Sequence, residues 1–232
     1  MPARWSPPAA GHNGMTRLLV WDLDGTLADS LPDIAGSLNR MLAARALAPL
    51  PPQQVAPMVG DGLVPLIQRA FAAYGRQPDQ AAAGEYLADY ESSLAAGTRL
   101  FPGITAAMEA MAADGWRFAV CTNKPVRAAR SLLEQLGIAD QLAAIGGGDS
   151  FPVRKPDPGH LRLTIEAAGG DTARALMLGD HANDISAAAG CGMKSIFAGW
   201  GYGRPGMEAG AAAVAETPGA VPALAASLLP AG

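Results

Sequence analysis

The 232-residue chain is short of several things, and each shortage narrows what it can be. Only 16% of residues are charged and the net charge is −4 with no basic run, so the footprint of a nucleic-acid binder is missing. No apolar stretch approaches the roughly 20 residues that a membrane-crossing helix needs. The two cysteines, Cys121 and Cys191, each lie in or beside an apolar segment. They read as buried free thiols, not as a disulfide framework, and the cytoplasm is the default compartment. No Gly-x4-Gly-Lys-Ser/Thr loop is present, so any nucleophile is expected to be borne by the protein itself. There is no internal repeat. Met1 to Gly14 is rich in Pro, Ala and Gly but lacks the apolar centre of a signal peptide. Residues 1–15 therefore read as a disordered extension or an early start ahead of Met15. What remains is half hydrophobic and long enough for one large or two small domains.

One stretch organises the rest, Leu18-Leu19-Val20-Trp21-Asp22-Leu23-Asp24-Gly25-Thr26-Leu27. An apolar strand signal breaks at once into two acids, a Gly and a Thr. Like charges repel and a strand exit is partly desolvated, so two carboxylates there are costly and a bound cation would offset the cost. If the strand runs on through Leu23, both acids share one side. One could serve as nucleophile and metal ligand while the other moves protons. Taken alone, the stretch also fits a strand closed by an ordinary Asp-Gly turn.

After Asp29 the pattern becomes helical. Ile34, Leu38, Met41 and Leu42 recur at helix spacing, and Pro49-Leu50-Pro51-Pro52 ends that helix. Helical segments follow over Gln53 to Tyr74, broken at Val59-Gly60-Asp61-Gly62, and over Pro78 to Ala96. Residues 31–97 thus read as an all-helical insertion. Met41, Met58, Tyr74, Tyr86 and Tyr90 read as its core. From Phe101, helices alternate with apolar strands at Trp116–Cys121, Leu142–Ile145, Ala175–Leu178 and Met193–Phe197, with a last helix over Pro218–Leu229. That alternation predicts an α/β fold, a doubly wound parallel sheet made from residues 16–30 and 98–232.

In such sheets the ligand sits beyond the carboxyl ends of the strands, and those ends are chemically coherent here. They carry Asp22 and Asp24; Thr122-Asn123-Lys124 at a helix entrance; Lys155, held just before a helix by the two prolines of Arg154-Lys155-Pro156-Asp157-Pro158; and Gly179-Asp180-His181-Ala182-Asn183-Asp184. The acids suit an oxygen-liganded dication such as magnesium, and the lysine and amides suit an anion. A site holding both fits phosphoryl transfer. Each motif also has a plainer reading, as a helix cap or a solvated lysine.

Together these residues resemble the haloacid dehalogenase superfamily of phosphatases. Asp22-Leu23-Asp24-Gly25-Thr26, Thr122, Lys155, and Gly179-Asp180 with Asp184 match its four motifs in order, and the helical insertion resembles its small mobile cap. Within that superfamily the chain is most similar to phosphoglycolate phosphatases, through Val59-Gly60-Asp61-Gly62, Phe101-Pro102-Gly103, Cys121 to Pro125, Gly146 to Asp149 and Gly201-Tyr202-Gly203.

The resemblance implies a Rossmann-like core and a magnesium-dependent phosphomonoester hydrolase. Asp22 would be nucleophile and metal ligand. Asp24 would be acid and base, with its carbonyl on the metal; a dehalogenase has no acid there. Thr122, Asn123, Lys155 and the backbone at Leu23 and Asp24 would hold the phosphoryl group. Asp180 would ligate the metal, with Asp184 in support. His181 departs from the small polar residue expected at its position. Specificity is expected from Asp61, Gly62 and Arg69, although Arg69 also reads as a solvated helix residue. His160 reads as a helix-surface residue, and Trp200 and Tyr202 as lining the site mouth. The expected partner is a small phosphorylated metabolite, 2-phosphoglycolate first, for a monomer or homodimer with no nucleic-acid or membrane partner. A sugar phosphatase, a phosphomutase and an inactive phosphate-binding module are the alternatives.

Overall fold

The computed structural model describes residues 16–231. The expected N-terminal extension lies outside the described residues. In chain order the strands are β1 (Leu18–Trp21), β2 (Ala28–Asp29), β3 (Arg99–Leu100), β4 (Arg117–Cys121), β5 (Leu142–Gly146), β6 (Ala175–Gly179), β7 (Ser195–Ala198) and β8 (Ala213–Ala215). The helices are α1 (Leu31–Ala43), α2 (Pro52–Val55), α3 (Leu63–Ala72), α4 (Ala82–Ser92), α5 (Ile104–Ala113), α6 (Val126–Gln135), α7 (Pro158–Ala167), α8 (Ala182–Gly190) and α9 (Val221–Leu228).

Six strands form one parallel sheet in the order β5-β4-β1-β6-β7-β8. β1 is central, with Leu18 to Trp21 opposite Arg117 to Val120 on one side and Ala175 to Leu178 on the other. Its continuous apolar run follows from burial on both faces. Leu19 and Trp21 join one apolar cluster with Phe118, Val120, Leu176 and Leu178, covered by α5, α6 and α9. Leu18 and Val20 join the other with Ala119, Met177, Leu161 and Ile165, covered by α7 and α8. The sheet is therefore doubly wound, as the alternation predicts. β8, only Ala-Val-Ala, is too short to carry a sequence signal.

Helices α1 to α4 gather a separate apolar cluster. Ile34, Leu38, Met41 and Leu42 of α1 meet Leu66, Ile67, Ala70 and Phe71 of α3 and Tyr86 and Tyr90 of α4. Pro32 suits the first turn of α1, where its missing N–H would have no intrahelical partner. Two short strands, β2 and β3, pair antiparallel at the base of this helical block, bringing its entry and exit together. Asp33 ties the same junction, accepting from the backbone N–H groups of Gly97 (2.7 Å) and Thr98 (2.9 Å) and from the Thr98 hydroxyl (2.6 Å).

Candidate active site

The four predicted stretches meet at the carboxyl edge of the sheet. β1 ends at Trp21, two residues before the expected end, and Asp22 adds one last ladder bond from its N–H to the Leu178 carbonyl at 2.8 Å. The chain then turns, with the Leu23 carbonyl accepting from Leu27 and Ala28, so a turn rather than a pleat separates the two acids. Gly25 sits at φ +87°, and a Cβ there would lie 2.3 Å from Asp180 Oδ2. Only glycine allows that turn to pass so close to the fourth motif.

Asp22, Asp180 and Asp184 are all buried, and one oxygen of each lies within 4.8 Å of the others. Lys155 Nζ is 2.8 Å from Asp22 Oδ1 and 2.6 Å from Asp184 Oδ1. Asp180 accepts from the Thr26 hydroxyl at 2.9 Å and from the Tyr202 N–H at 2.7 Å. With all three ionised, the carboxylates exceed the one ammonium by two negative charges. Burial first, then repulsion from Asp22 and Asp184, pushes the Asp180 carboxyl up to about 8. Asp22 is raised to about 6 by burial, with Lys155 opposing and Asp184 adding. A buried, all-oxygen donor set with surplus negative charge fits a hard divalent cation.

Asp24 belongs to a neighbouring arrangement. Lys124 Nζ lies 2.8 and 2.9 Å from its two oxygens, and the Ser30 hydroxyl donates to Oδ1 at 2.6 Å. Asp22, Asp24, Thr122, Asn123 and Lys124 line a cavity of about 60 Å³, closed by α3, α4 and the 59–62 loop. Asn123 Nδ2 bridges the Gly60 and Lys155 carbonyls, both at 2.9 Å, linking the helical block to the core. Leu23 contributes a buried side chain to the sheet cluster and its backbone to the turn between the acids.

Several residues stand differently from the expectations. His160 is fully buried, not on a helix surface; its Nδ1 accepts the Lys155 N–H at 3.1 Å, and burial and then Lys155 lower its pKa to about 4. Its position on the inner face of α7 decides this, and helix spacing from Leu161 and Ile165 does not reveal it. Cys121 is buried, whereas Cys191 is part-exposed. Tyr86 and Tyr90 do enter the helical core, yet they also wall the cavity. Arg69 and Asp61 pair with each other, and Asp61 accepts from Asn183 at 2.6 Å. Neither lines the cavity that holds Asp24, whereas Gly62 does. His181 replaces the expected small polar residue as a helix cap: its Nδ1 accepts from the Asn183 N–H at 3.2 Å, and Asp184 Oδ2 accepts from the His181 N–H at 3.0 Å. Tyr202 lines a second small opening with Asp24, Asp180 and His181, while Trp200 Nε1 donates to the Thr26 carbonyl at 3.0 Å. Lys124, quoted with Thr122-Asn123 but given no role by the sequence, is the residue the structure adds to the site. The signal was its place directly after Thr122-Asn123.

A family model for haloacid dehalogenase-like hydrolases matches residues 16–192. A phosphoglycolate phosphatase of Rhodospirillum rubrum is 43% identical over 209 residues, 86% of this chain and 87% of that protein. One of Cereibacter sphaeroides (strain ATCC 17029) is 41% identical over 79% of this chain and 85% of its own. Among solved structures, a predicted phosphoglycolate phosphatase from Haemophilus somnus 129PT superposes with a TM-score of 0.82 at 27% identity, over 90% of this chain and 98% of that one. The chain belongs to the haloacid dehalogenase-like hydrolase family, as one of its phosphatases. No helix among the described residues is long and apolar enough to cross a membrane.

Proposed function

We propose that this phosphatase hydrolyses 2-phosphoglycolate to glycolate and phosphate through an aspartyl-phosphate on Asp22, with magnesium as its cation. The observation that carries the reading is the pairing of Asp22 Oδ1 with Lys155 Nζ at 2.8 Å beside a second acid, Asp24, on the same cavity. A carboxylate held by a fixed ammonium is oriented for in-line attack, and the acid beside it can serve the leaving group.

Asp22 attacks phosphorus, the bond from phosphorus to the ester oxygen breaks, and Asp24 gives its proton to the departing alkoxide. Water then attacks the acyl phosphate while Asp24 takes a proton from it, releasing inorganic phosphate and restoring Asp22. Thr122, the amides of Leu23, Asp24 and Asn123, and Lys155 hold the phosphoryl oxygens. Asp22, Asp180 and the Asp24 carbonyl would hold magnesium, with Asp184 in support, and the ion would neutralise charge on the transferring group. Residues 31–97 act as the cap that keeps bulk water from the acyl phosphate. The small cavity favours a small leaving group, and the names of the relatives point to glycolate.

The test is phosphate release from a panel of small phosphomonoesters, with magnesium and with chelator, for the wild type and Asp22→Asn. Chelator-sensitive release, greatest for 2-phosphoglycolate and absent in the variant, is expected. A preference for another ester would replace the substrate and keep the mechanism. Release unchanged in Asp22→Asn would overturn the nucleophile.

A further inference from the structure

The cavity above Asp24 has two donors that the phosphoryl chemistry does not use. Lys124 is buried, and its ammonium, besides facing Asp24, lies 4.5 Å from the centre of the Tyr90 ring. Tyr90 is 2% exposed, lines the same cavity, and its hydroxyl has no hydrogen-bond acceptor among the described residues. A buried hydroxyl proton without an acceptor is costly, and it marks a place where an acceptor from outside the protein would be welcome. Lys124 is also the only cation among the described residues lining this cavity, whose farther wall is Ile34, Leu63, Leu66 and Leu87. An ammonium and an unpartnered hydroxyl on one cavity, facing an apolar farther wall, suit an anion with two acceptor oxygens.

We propose that Lys124 and Tyr90 form the subsite that reads the leaving group, by binding a carboxylate carried one carbon away from the ester oxygen. The assignment rests on the phosphatase reading above, in which Asp24 protonates that oxygen. The spacing follows from it. The ester oxygen must come within hydrogen-bond reach of Asp24, and Lys124 is itself one hydrogen bond from Asp24. Ester oxygen and ammonium are then at most about 6 Å apart, two hydrogen-bond lengths. A carboxylate on the adjacent carbon bridges that gap, whereas a long tail meets the apolar wall. Tyr86 stacks on Tyr90 at 5.9 Å between ring centres and fixes the ring that carries the hydroxyl. Lys124 and Tyr90 come from opposite sides of the cavity, one after β4 and the other on α4, so the subsite needs the helical block in place.

The experiment compares kcat/KM for 2-phosphoglycolate with that for ethyl phosphate, which has a methyl group in place of the carboxylate. Wild type, Lys124→Met, Lys124→Arg and Tyr90→Phe are measured. Hydrogen bonds to a charged group correspond to losses of roughly 10- to 100-fold. In Lys124→Met the phosphoglycolate value should fall about 100-fold and the ethyl phosphate value far less. Lys124→Arg should recover part of the preference, and Tyr90→Phe should lose about tenfold on phosphoglycolate alone. Equal losses on both esters would overturn the subsite and leave Lys124 acting only through Asp24. A wild type that treats the two esters alike, or that cleaves only other esters, also overturns it and spares the phosphatase reading; a wild type inactive on every ester defeats both. Should Lys124→Met fail to fold by circular dichroism, inhibition of the wild type decides. Glycolate competing with substrate where ethanol does not supports the subsite, and no difference between them overturns it.

Discussion

Two buried lysines divide the site, and their surroundings differ in one respect. Lys155 stands among Asp22, Asp180 and Asp184, so its region keeps surplus negative charge and calls for a cation. Lys124 faces Asp24, a tyrosine ring and an apolar wall, so its region can accept an anion once a substrate competes for the ammonium. The local count of acids per lysine, not the lysine itself, decides which ligand each region takes. The region round Lys155 is built from segments that follow the sheet's strands, with Asp184 in the first turn of α8. The other draws on both the sheet, through Lys124, and the helical block, through Tyr90 of α4.

The harshest way to break the comparison is Asp22→Asn. Loss of the proposed nucleophile, acting as a unit with its neighbours, should lower kcat by roughly 10⁴-fold or more, measured as phosphate release. A loss of less than tenfold would remove Asp22 from the chemistry.

Lys155→Met should cost about 10²- to 10³-fold in kcat, the scale of losing one donor to a developing anion. It should also lower Tm, because buried Asp22 and Asp184 lose the ammonium that pairs with both. Lys124→Met, by contrast, should divide substrates. If the two variants gave the same profile across substrates, the division of labour would fail.

A smaller effect separates the cation region by pH. Asp22 and Asp180 sit at about 6 and about 8, both above the ordinary 3.8. Between pH 4 and 8 the folded, metal-free protein therefore holds more protons than the unfolded chain, and its stability falls as pH rises through that window. A dication that neutralises the ionised acids should raise Tm more at pH 8 than at pH 6, by about 2–4 °C for each kcal/mol of difference. Thermal unfolding with and without magnesium at the two pH values checks the sign, and a larger rise at pH 6 would contradict it.

The smallest effect is expected of Arg69→Ala. Arg69 is exposed, pairs with Asp61 and stands outside the cavity lining, so stability should change by less than about 1 kcal/mol. Selectivity between 2-phosphoglycolate and ethyl phosphate should stay within about threefold. A large change in selectivity would return specificity to the outer loop.

Much of this was legible in the sequence, for identifiable reasons. A central parallel strand is buried on both faces, so β1 shows as an unbroken apolar run, and whatever follows such a strand must fall at the carboxyl edge of the sheet. Asp22, Thr122, Lys155 and Asp180 could thus be brought together before any distance was known. Thr26 stands in the same short motif, and its hydroxyl donates to Asp180. Helix existence was legible too, because α1 and α6 carry apolar residues at helical spacing.

The sequence by itself determined the doubly wound sheet, the helical block and the acidic centre, because periodicity and strand exits encode them within short stretches. Only the tertiary structure decided that His160 is buried behind Lys155, that Tyr86 and Tyr90 wall the cavity while Arg69 turns away, and that Lys124 meets Asp24 across a sequence separation of 100 residues. Those outcomes depend on the rotation of each helix about its axis and on distances between separate elements. Packing of the whole chain sets both, and no local pattern records them.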